Sequence, residues 1–446
     1  MADTNSLTGR LSRYARVGGT GLGLAAQMGA ARLFGGPHDK AAGAAQLRAA
    51  LGGLKGPVMK IAQIIATIPD AVPPEYAAEL AQLQSNAPAM GWPFVKRRMK
   101  SELGPDWEGK YASFAHEAAA AASLGQVHRA TSHDGRALAA KLQYPDMASA
   151  VEADLGQLDL LFGLYARFDK SIDTGQIHGE LADRLREELD YEREAKHLAL
   201  YRDMLGGEGV VTLPEVLPEL STRRLLTMTW LDGRPMLDFK TADLATRNTI
   251  AANLFRAWYL PLHHFGVIHG DPHLGNYTVR ADHGINLLDF GCIRVFPPRF
   301  IGGVVDLYRA LQSGDEELAV HAFERWGFVG LSREIIDTLL IWAKFLYGPL
   351  LDDRARVIDA SGNPASYGRE TAASVHRKLR ELGTVTVPRE FVFMDRAAIG
   401  LGGVFMHLQA ELNWHDMFNA MIEGFDEAAM TAKQAAALSR AGLIAA

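Results

Sequence analysis

The segment His269–Gly291 restricts the possible folds of this chain more than any other. It opens with His269-Gly270-Asp271-Pro272-His273-Leu274-Gly275-Asn276 and closes with Asp289-Phe290-Gly291. Between them, Val279-Arg280-Ala281-Asp282-His283-Gly284-Ile285-Asn286-Leu287-Leu288 reads as a hairpin that returns the chain to Asp289. A fold that accepts this segment must bring two polar loops together at one end of a short hairpin. An Asp, an Asn five residues on and a second Asp beyond a hairpin suit one kind of chemistry. Phosphoryl transfer needs divalent cations bridging nucleotide phosphates, held by oxygen ligands from two separate segments. Asn276 and Asp289 are the expected ligands for Mg²⁺ or Mn²⁺, and Asp271 the group that orients a hydroxyl or water toward the γ-phosphate. Taken by itself, the segment would also fit a polar loop with aspartates buried in turns.

The rest of the chain supplies what such a site needs. Its 446 residues are 48% hydrophobic and 22% charged, enough for a large core or for one two-lobed unit with an extension. A net charge of -6 gives no nucleic-acid footprint. The single cysteine, Cys292, excludes an intramolecular disulfide, fits a reducing compartment and reads as a small core residue. The sequence shows neither a clean membrane span nor a signal peptide. The expected location is the cytoplasm, with peripheral contact on the inner face of a membrane. The reason is the leader from Arg10 to Arg32, which is basic, acid-free and interleaved with Leu, Ala and Met.

Three regions emerge: a helical, Ala- and Gln-rich extension over 1–110, a β-rich lobe over 111–231 and a helical lobe over 232–446. This α+β order of small β-rich lobe, connector and large helical lobe is the bilobal protein-kinase plan. Strands are expected at Gly125–Ala130, Ala137–Lys141, Val210–Leu213 and Arg224–Thr229, with a turn at His133-Asp134-Gly135. Helices are expected from Met147 to about Phe168 and from Gln176 to about Leu205. Thr229 and Leu231 fall in the connector, where an extended backbone can bond the edge of adenine.

Lys141, one strand after a loop and upstream of Asp271, is placed to reach α- and β-phosphates and needs a carboxylate to fix it. Helical spacing puts Glu187, Asp190 and Glu194 on one face, with Glu188 about a third of a turn away. One helix could therefore offer one carboxylate to Lys141 and another elsewhere. The segment before Lys141, including Ala121, Ala122 and Ser123, is alanine-rich where phosphate loops are usually glycine-rich. Alanine favours helix and limits backbone approach to phosphate, so the loop should be stiff. Read alone, the segment is an Ala-rich helix.

Together these motifs resemble the UbiB/AarF family of atypical kinases and ATPases, over roughly Leu54 to Arg294. The resemblance rests on Lys60-Ile61-Ala62-Gln63, the alanine-rich segment Ala120–His128, Glu188-Leu189-Asp190, and the set Asp271, Asn276 and Asp289. It implies a covering helix that inserts Lys60 and Gln63 into the active site, a role for Glu188 there, and Glu194 as the partner of Lys141. It also implies Mg-ATP as the bound nucleotide, and ubiquinone or another prenyl lipid, or a quinone precursor, as the chemistry served. Ala62 stands where the family has glycine, no Ala-Pro-Glu follows Asp289, and His-Gly-Asp replaces His-Arg-Asp. The transmembrane pair of the bacterial branch is also missing, which implies a soluble or peripheral relative. Two other functions fit parts of the pattern: a small-molecule phosphotransferase of the aminoglycoside or choline kinase type, and a non-catalytic nucleotide-sensing scaffold. Lys60, Gln63 and the alanine segment argue against the first, and the complete set of Lys141, Asp271, Asn276 and Asp289 against the second.

Overall fold

A computed structural model describes residues 89–121, 124–156, 182–183, 185–359, 369–382 and 388–444, together with Gly179. Lys60, Gln63, Ala122, Ser123 and the basic leader lie outside the described residues. The chain divides into two compact units: Met1–Glu192 with Leu217–Met228, and Arg193–Val216 with Thr229–Ala446.

The first unit is built on a four-stranded sheet of order β1-β2-β3-β5. Its strands are β1 (Ser113–Ala121), β2 (Gly125–Thr131), β3 (Ala137–Gln143) and, later in the chain, β5 (Leu225–Thr229). The expected turn joins β2 to β3: Gly135 sits at φ 85 and its N–H donates to the Ser132 carbonyl at 3.0 Å. Alternation along β3 turns Leu138, Ala140 and Leu142 into a core with Val95 and Met99 of α1 (Trp92–Leu103), Trp107, Tyr111 and Leu225. Each large apolar side chain fully buried there contributes about 1.5–3 kcal/mol. Arg98 of α1 is buried as well. It donates to the Gln143 and Tyr144 carbonyls at 3.1 and 3.0 Å and pairs with Glu102 at 3.2 Å. Glu102 also accepts from Arg224 at 2.9 Å and from the Thr222 hydroxyl at 2.7 Å.

Two expectations are corrected in this unit. The alanine run, expected as a stiff loop and read alone as helix, is strand as far as Ala121: Ala118, Ala120 and Ala121 lie in β1, opposite His128, Val127 and Gln126, with bulges that shift the register. Ladder bonds to β2 outweigh the helix preference of alanine, a few tenths of a kcal/mol per residue. The helix expected through Leu205 is also interrupted. The Leu189 and Asp190 N–H groups close tight turns onto Arg186 and Glu187, and the Tyr191 N–H donates to the Arg223 carbonyl at 3.2 Å. A new helix, α2 (Tyr191–Leu205), starts there. The helical spacing that put Glu187, Asp190 and Glu194 on one face therefore does not hold.

The second unit holds the remainder of α2 from Arg193 and a small sheet of order β4-β9-β8-β6. Its strands are β4 (Val211–Thr212), β6 (Arg234–Pro235), β8 (Tyr277–Val279) and β9 (Ile285–Leu287). A two-stranded pairing joins β7 (Val267–His269) to β10 (Ile293–Val295). The helices are α3 (Leu244–Phe265), α4 (Pro298–Ser313), α5 (Glu316–Arg325), α6 (Arg333–Leu351), α7 (Arg369–Glu381), α8 (Arg389–Leu408), α9 (Trp414–Ile422) and α10 (Glu427–Arg440). Helix α3 is the apolar axis, in contact with α4, α8, α9 and α10. Asp243 starts it by accepting from the Thr246 N–H at 2.9 Å, and Gly266 ends it in the left-handed region at φ 65. Among the described residues no helix is long and apolar enough to cross a membrane.

Candidate active site

The hairpin expected from the sequence delivers the two polar loops. β8 pairs antiparallel with β9, Tyr277 opposite Leu287 and Val279 opposite Ile285, and the Leu288 N–H donates to the Asn276 carbonyl at 3.0 Å. On the other side β7 pairs with β10, His269 opposite Ile293. The segments that open and close the motif are thus held by two ladders before any side chain acts.

His269 joins them. Its Nδ1 accepts from the Asp271 N–H at 3.3 Å, and its Nε2 lies 2.6 Å from the Asp289 carbonyl oxygen. A carbonyl only accepts, so Nε2 carries the proton and donates. One buried imidazole therefore fixes the backbone on both sides of the site. Asn276 donates from Nδ2 to the Asp271 carbonyl at 3.0 Å, which turns its amide oxygen the other way. The Asp289 carboxylate accepts from the Gly291 N–H at 2.9 Å through Oδ1. A carboxylate and an amide oxygen, each oriented by a backbone bond, are hard-oxygen donors of the kind that could hold Mg²⁺ or Mn²⁺.

Helix α2 clamps the second segment from behind. Glu194 and His197 are both buried. Glu194 Oε1 accepts from the Phe290 N–H at 3.5 Å, and His197 Nδ1 donates to the Phe290 carbonyl at 3.0 Å. The Phe290 ring lies 5.3 Å from Tyr201 and 6.2 Å from His269. Burial raises the Tyr201 and Tyr277 phenols well above their ordinary value, and the Asp271 charge adds to the effect at Tyr277. Both stay protonated beneath the loop.

Two glycines permit this packing. The Gly270 N–H donates to the Cys292 carbonyl at 2.6 Å, and a Cβ at 270 would stand 2.9 Å from Cys292 Sγ. A Cβ on Gly400 of α8 would overlap the Pro272 ring, so this helix backs directly onto the catalytic loop. His197, Gly270 and Gly400 were given no role by sequence reasoning. His197 follows Glu194 by three residues, a spacing that marks one helix face; Gly400, more than a hundred residues from the loop, carries no local signal.

The other expected site residues are placed as follows. Lys141 lies on β3 in the first unit, with Nζ 5.2 Å from the centre of the Tyr191 ring. Glu188 lies in the short helical turn before the break, and Ala121 ends β1 opposite Gln126. The Thr229 N–H donates to the Glu215 carbonyl and its hydroxyl accepts from the Glu215 N–H, both at 2.9 Å. Leu231 follows in the unassigned stretch before β6 and is partly exposed. The second unit thus brings together Glu194, Asp271, Asn276 and Asp289, while Lys141, Glu188 and Ala121 belong to the first.

The chain is similar to known proteins. A model of the ABC1 atypical kinase-like domain matches residues 82–323, more than half the chain. The mitochondrial atypical kinase coq-8 of Caenorhabditis elegans is 25% identical over 401 residues, 87% of this chain and 52% of that protein. The mitochondrial atypical kinase COQ8B of Danio rerio is 31% identical over 322 residues, 69% of this chain and 52% of that protein. The chain thus spans about half the length of the curated relatives it matches. Among solved structures, Rv3197 from Mycobacterium tuberculosis, in complex with erythromycin, superposes with a TM-score of 0.61 at 25% identity. That match covers 86% of this chain and 96% of the other. On this evidence of loop, hairpin, kinase-like fold and matched domain, the chain belongs to the ABC1 atypical kinase-like family.

Proposed function

We propose that this protein binds an adenine nucleotide with Mg²⁺ or Mn²⁺ and either transfers its terminal phosphate or hydrolyses it, in support of ubiquinone or other prenyl-lipid metabolism. The observation that carries the reading is His269, which ties the Asp271 amide and the Asp289 carbonyl to one ring. The metal, when bound, offsets charge on the phosphates. Asn276 and Asp289 are the residues to hold it. Asp271 orients the attacking hydroxyl or water and accepts its proton. Lys141 reaches the α- and β-phosphates with Glu194 as its carboxylate, and the connector at Thr229 and Leu231 contacts the base. The Thr229 N–H and hydroxyl are already bonded to Glu215, so its carbonyl is the group it offers. Lys60, Gln63 and Glu188 complete the reading as catalytic residues, and Ala121, Ala122 and Ser123 as nucleotide-binding ones.

Ubiquinone or prenyl-lipid service rests on family membership and on the basic leader. The leader offers an anionic membrane about 1 kcal/mol per charge near the surface. The test is calorimetry of ATP-analogue binding with and without Mg²⁺, on wild type and Asp289→Asn, together with ATP turnover with and without anionic liposomes. The expected results are loss of metal-dependent affinity by at least about tenfold, or 1.4 kcal/mol, and liposome stimulation that fades at high salt. Unchanged metal-dependent affinity in Asp289→Asn overturns the site assignment. Turnover indifferent to liposomes overturns the membrane part alone.

A further inference from the structure

The second unit contains a cavity away from the loops described above, of about 70 Å³. Aromatic and aliphatic side chains form nearly all of its wall, among them Phe255, Trp342, Met394 and Phe418. Four polar groups on the wall are already bonded within the protein. Trp342 Nε1 donates to Asp395, Tyr347 Oη to the Val304 carbonyl, Trp326 Nε1 to the Phe300 carbonyl and Trp414 Nε1 to the Arg356 carbonyl. His263 of α3 is different. It is 3% exposed, it lines the cavity, and among the described residues neither ring nitrogen has a hydrogen-bond partner. Its ring meets two others edge-on, Tyr259 at 5.8 Å and Phe418 at 5.1 Å.

A buried, unbonded polar group costs about 1–3 kcal/mol, so such a group persists where something satisfies it. Burial, and next the neighbouring His264, push His263 down to about 3. It is therefore a neutral imidazole, one nitrogen a donor and the other an acceptor. A cation or a carboxylate would bring an uncompensated charge into an apolar wall, at a cost of several kcal/mol. A water would find His263 as its one unsatisfied buried partner here, whereas retained buried waters make about three bonds. A hydroxyl on a small apolar body satisfies both requirements. The oxygen meets the imidazole, and the carbon atoms fill space that water leaves poorly occupied. The volume is about half the ~150 Å³ of an apolar cavity that takes up benzene, which limits the occupant to about three heavy atoms.

We propose that this cavity is a binding site for a small neutral alcohol, with His263 hydrogen-bonded to its hydroxyl and Phe255, Trp342, Met394 and Phe418 enclosing its alkyl body. The site is separate from the nucleotide machinery, and its test needs no nucleotide.

The experiment uses the full chain with ethanol as probe and propane as its hydrocarbon counterpart. Thermal unfolding is followed together with the imidazole ¹⁵N resonances of histidine-labelled protein. His263→Phe identifies the His263 signals and removes the polar group. Ala398→Leu fills the cavity from α8 and leaves His263 in place. Ethanol is expected to shift the His263 resonances saturably and to raise the unfolding midpoint. Propane should act at least tenfold more weakly, and both variants should lose the response. A wild type with no saturable response, a response that survives in Ala398→Leu, or a site holding only a water that ethanol does not displace each overturns the proposal.

Discussion

The catalytic hairpin of the second unit and the nucleotide-facing strands of the first are built by different means. In the hairpin, the hydrogen bonds described at Asp271, Asn276 and Asp289 come from residues 267–295, with α2 and α8 packed behind them. In the first unit, Lys141 takes its place from a strand whose backing is remote. Arg98 of α1 reaches the Gln143 and Tyr144 carbonyls from more than forty residues away, and the Tyr191 ring beside Lys141 sits where Arg223 ends a helix. The first arrangement tolerates change elsewhere in the chain, whereas the second depends on a buried ionic cluster.

Glu102→Ala should expose that dependence with the largest effect. It leaves the buried Arg98 guanidinium without its counter-charge, and breaking such a pair costs about 3–5 kcal/mol. Denaturant unfolding should show this loss, and the metal-dependent part of nucleotide binding should survive in whatever fraction stays folded. An equal loss of metal dependence there would mean the two regions are not independent. Next comes His269→Phe, which keeps the ring volume and removes both bonds. Supporting contacts of this kind are worth about 10–100-fold in metal affinity or activity, so turnover should fall by that factor with little change in melting temperature. Gly400→Ala tests whether the hairpin is as self-contained as its bonds suggest. The added methyl must push the Pro272 ring, at about 1–3 kcal/mol for overpacking, and the nucleotide KM should rise. An unchanged KM and stability would show that α8 yields instead.

The smallest effect is that of pH on the core of the second unit. His263 stays neutral in the fold down to about pH 3, while the unfolded chain protonates it below its ordinary 6.5. Between those values the unfolded state holds more protons. The contribution is therefore complete above pH 6.5 and shrinks as pH falls, by about 1 kcal/mol between pH 6.5 and 5.5. His128, His264 and His407 are lowered by burial too and act in the same direction. The difference between wild type and His263→Phe in urea midpoints across that range isolates this one residue, and parallel curves would refute it.

The same contrast explains what could be read in advance. The Tyr277–Leu287 hairpin, the 132–136 turn and β3 were legible because alternation and turn chemistry are local. The strand made by Ala118–Ala121 was not, because alanine carries no strand signal and reads as loop or helix until β2 lies beside it. The break at Leu189-Asp190 was hidden for a similar reason: its cause is a carbonyl at Arg223. Within the site, the residue types at 271, 276 and 289 were legible from their spacing. The bridging role of His269 was not, since it depends on a partner twenty residues away that offers only its backbone.

The close approach at Gly270 has a consequence for regulation. An arginine at this position would place its Cβ against Cys292 Sγ and within 3.1 Å of the Cys292 carbonyl. The Cys292 side chain would have to turn away and its carbonyl give by a few tenths of an ångström, weakening the bond it accepts from the Gly270 N–H. A single atomic contact thus sets a toll on any arginine-docked phosphate at this position, collected before that arginine meets its ligand.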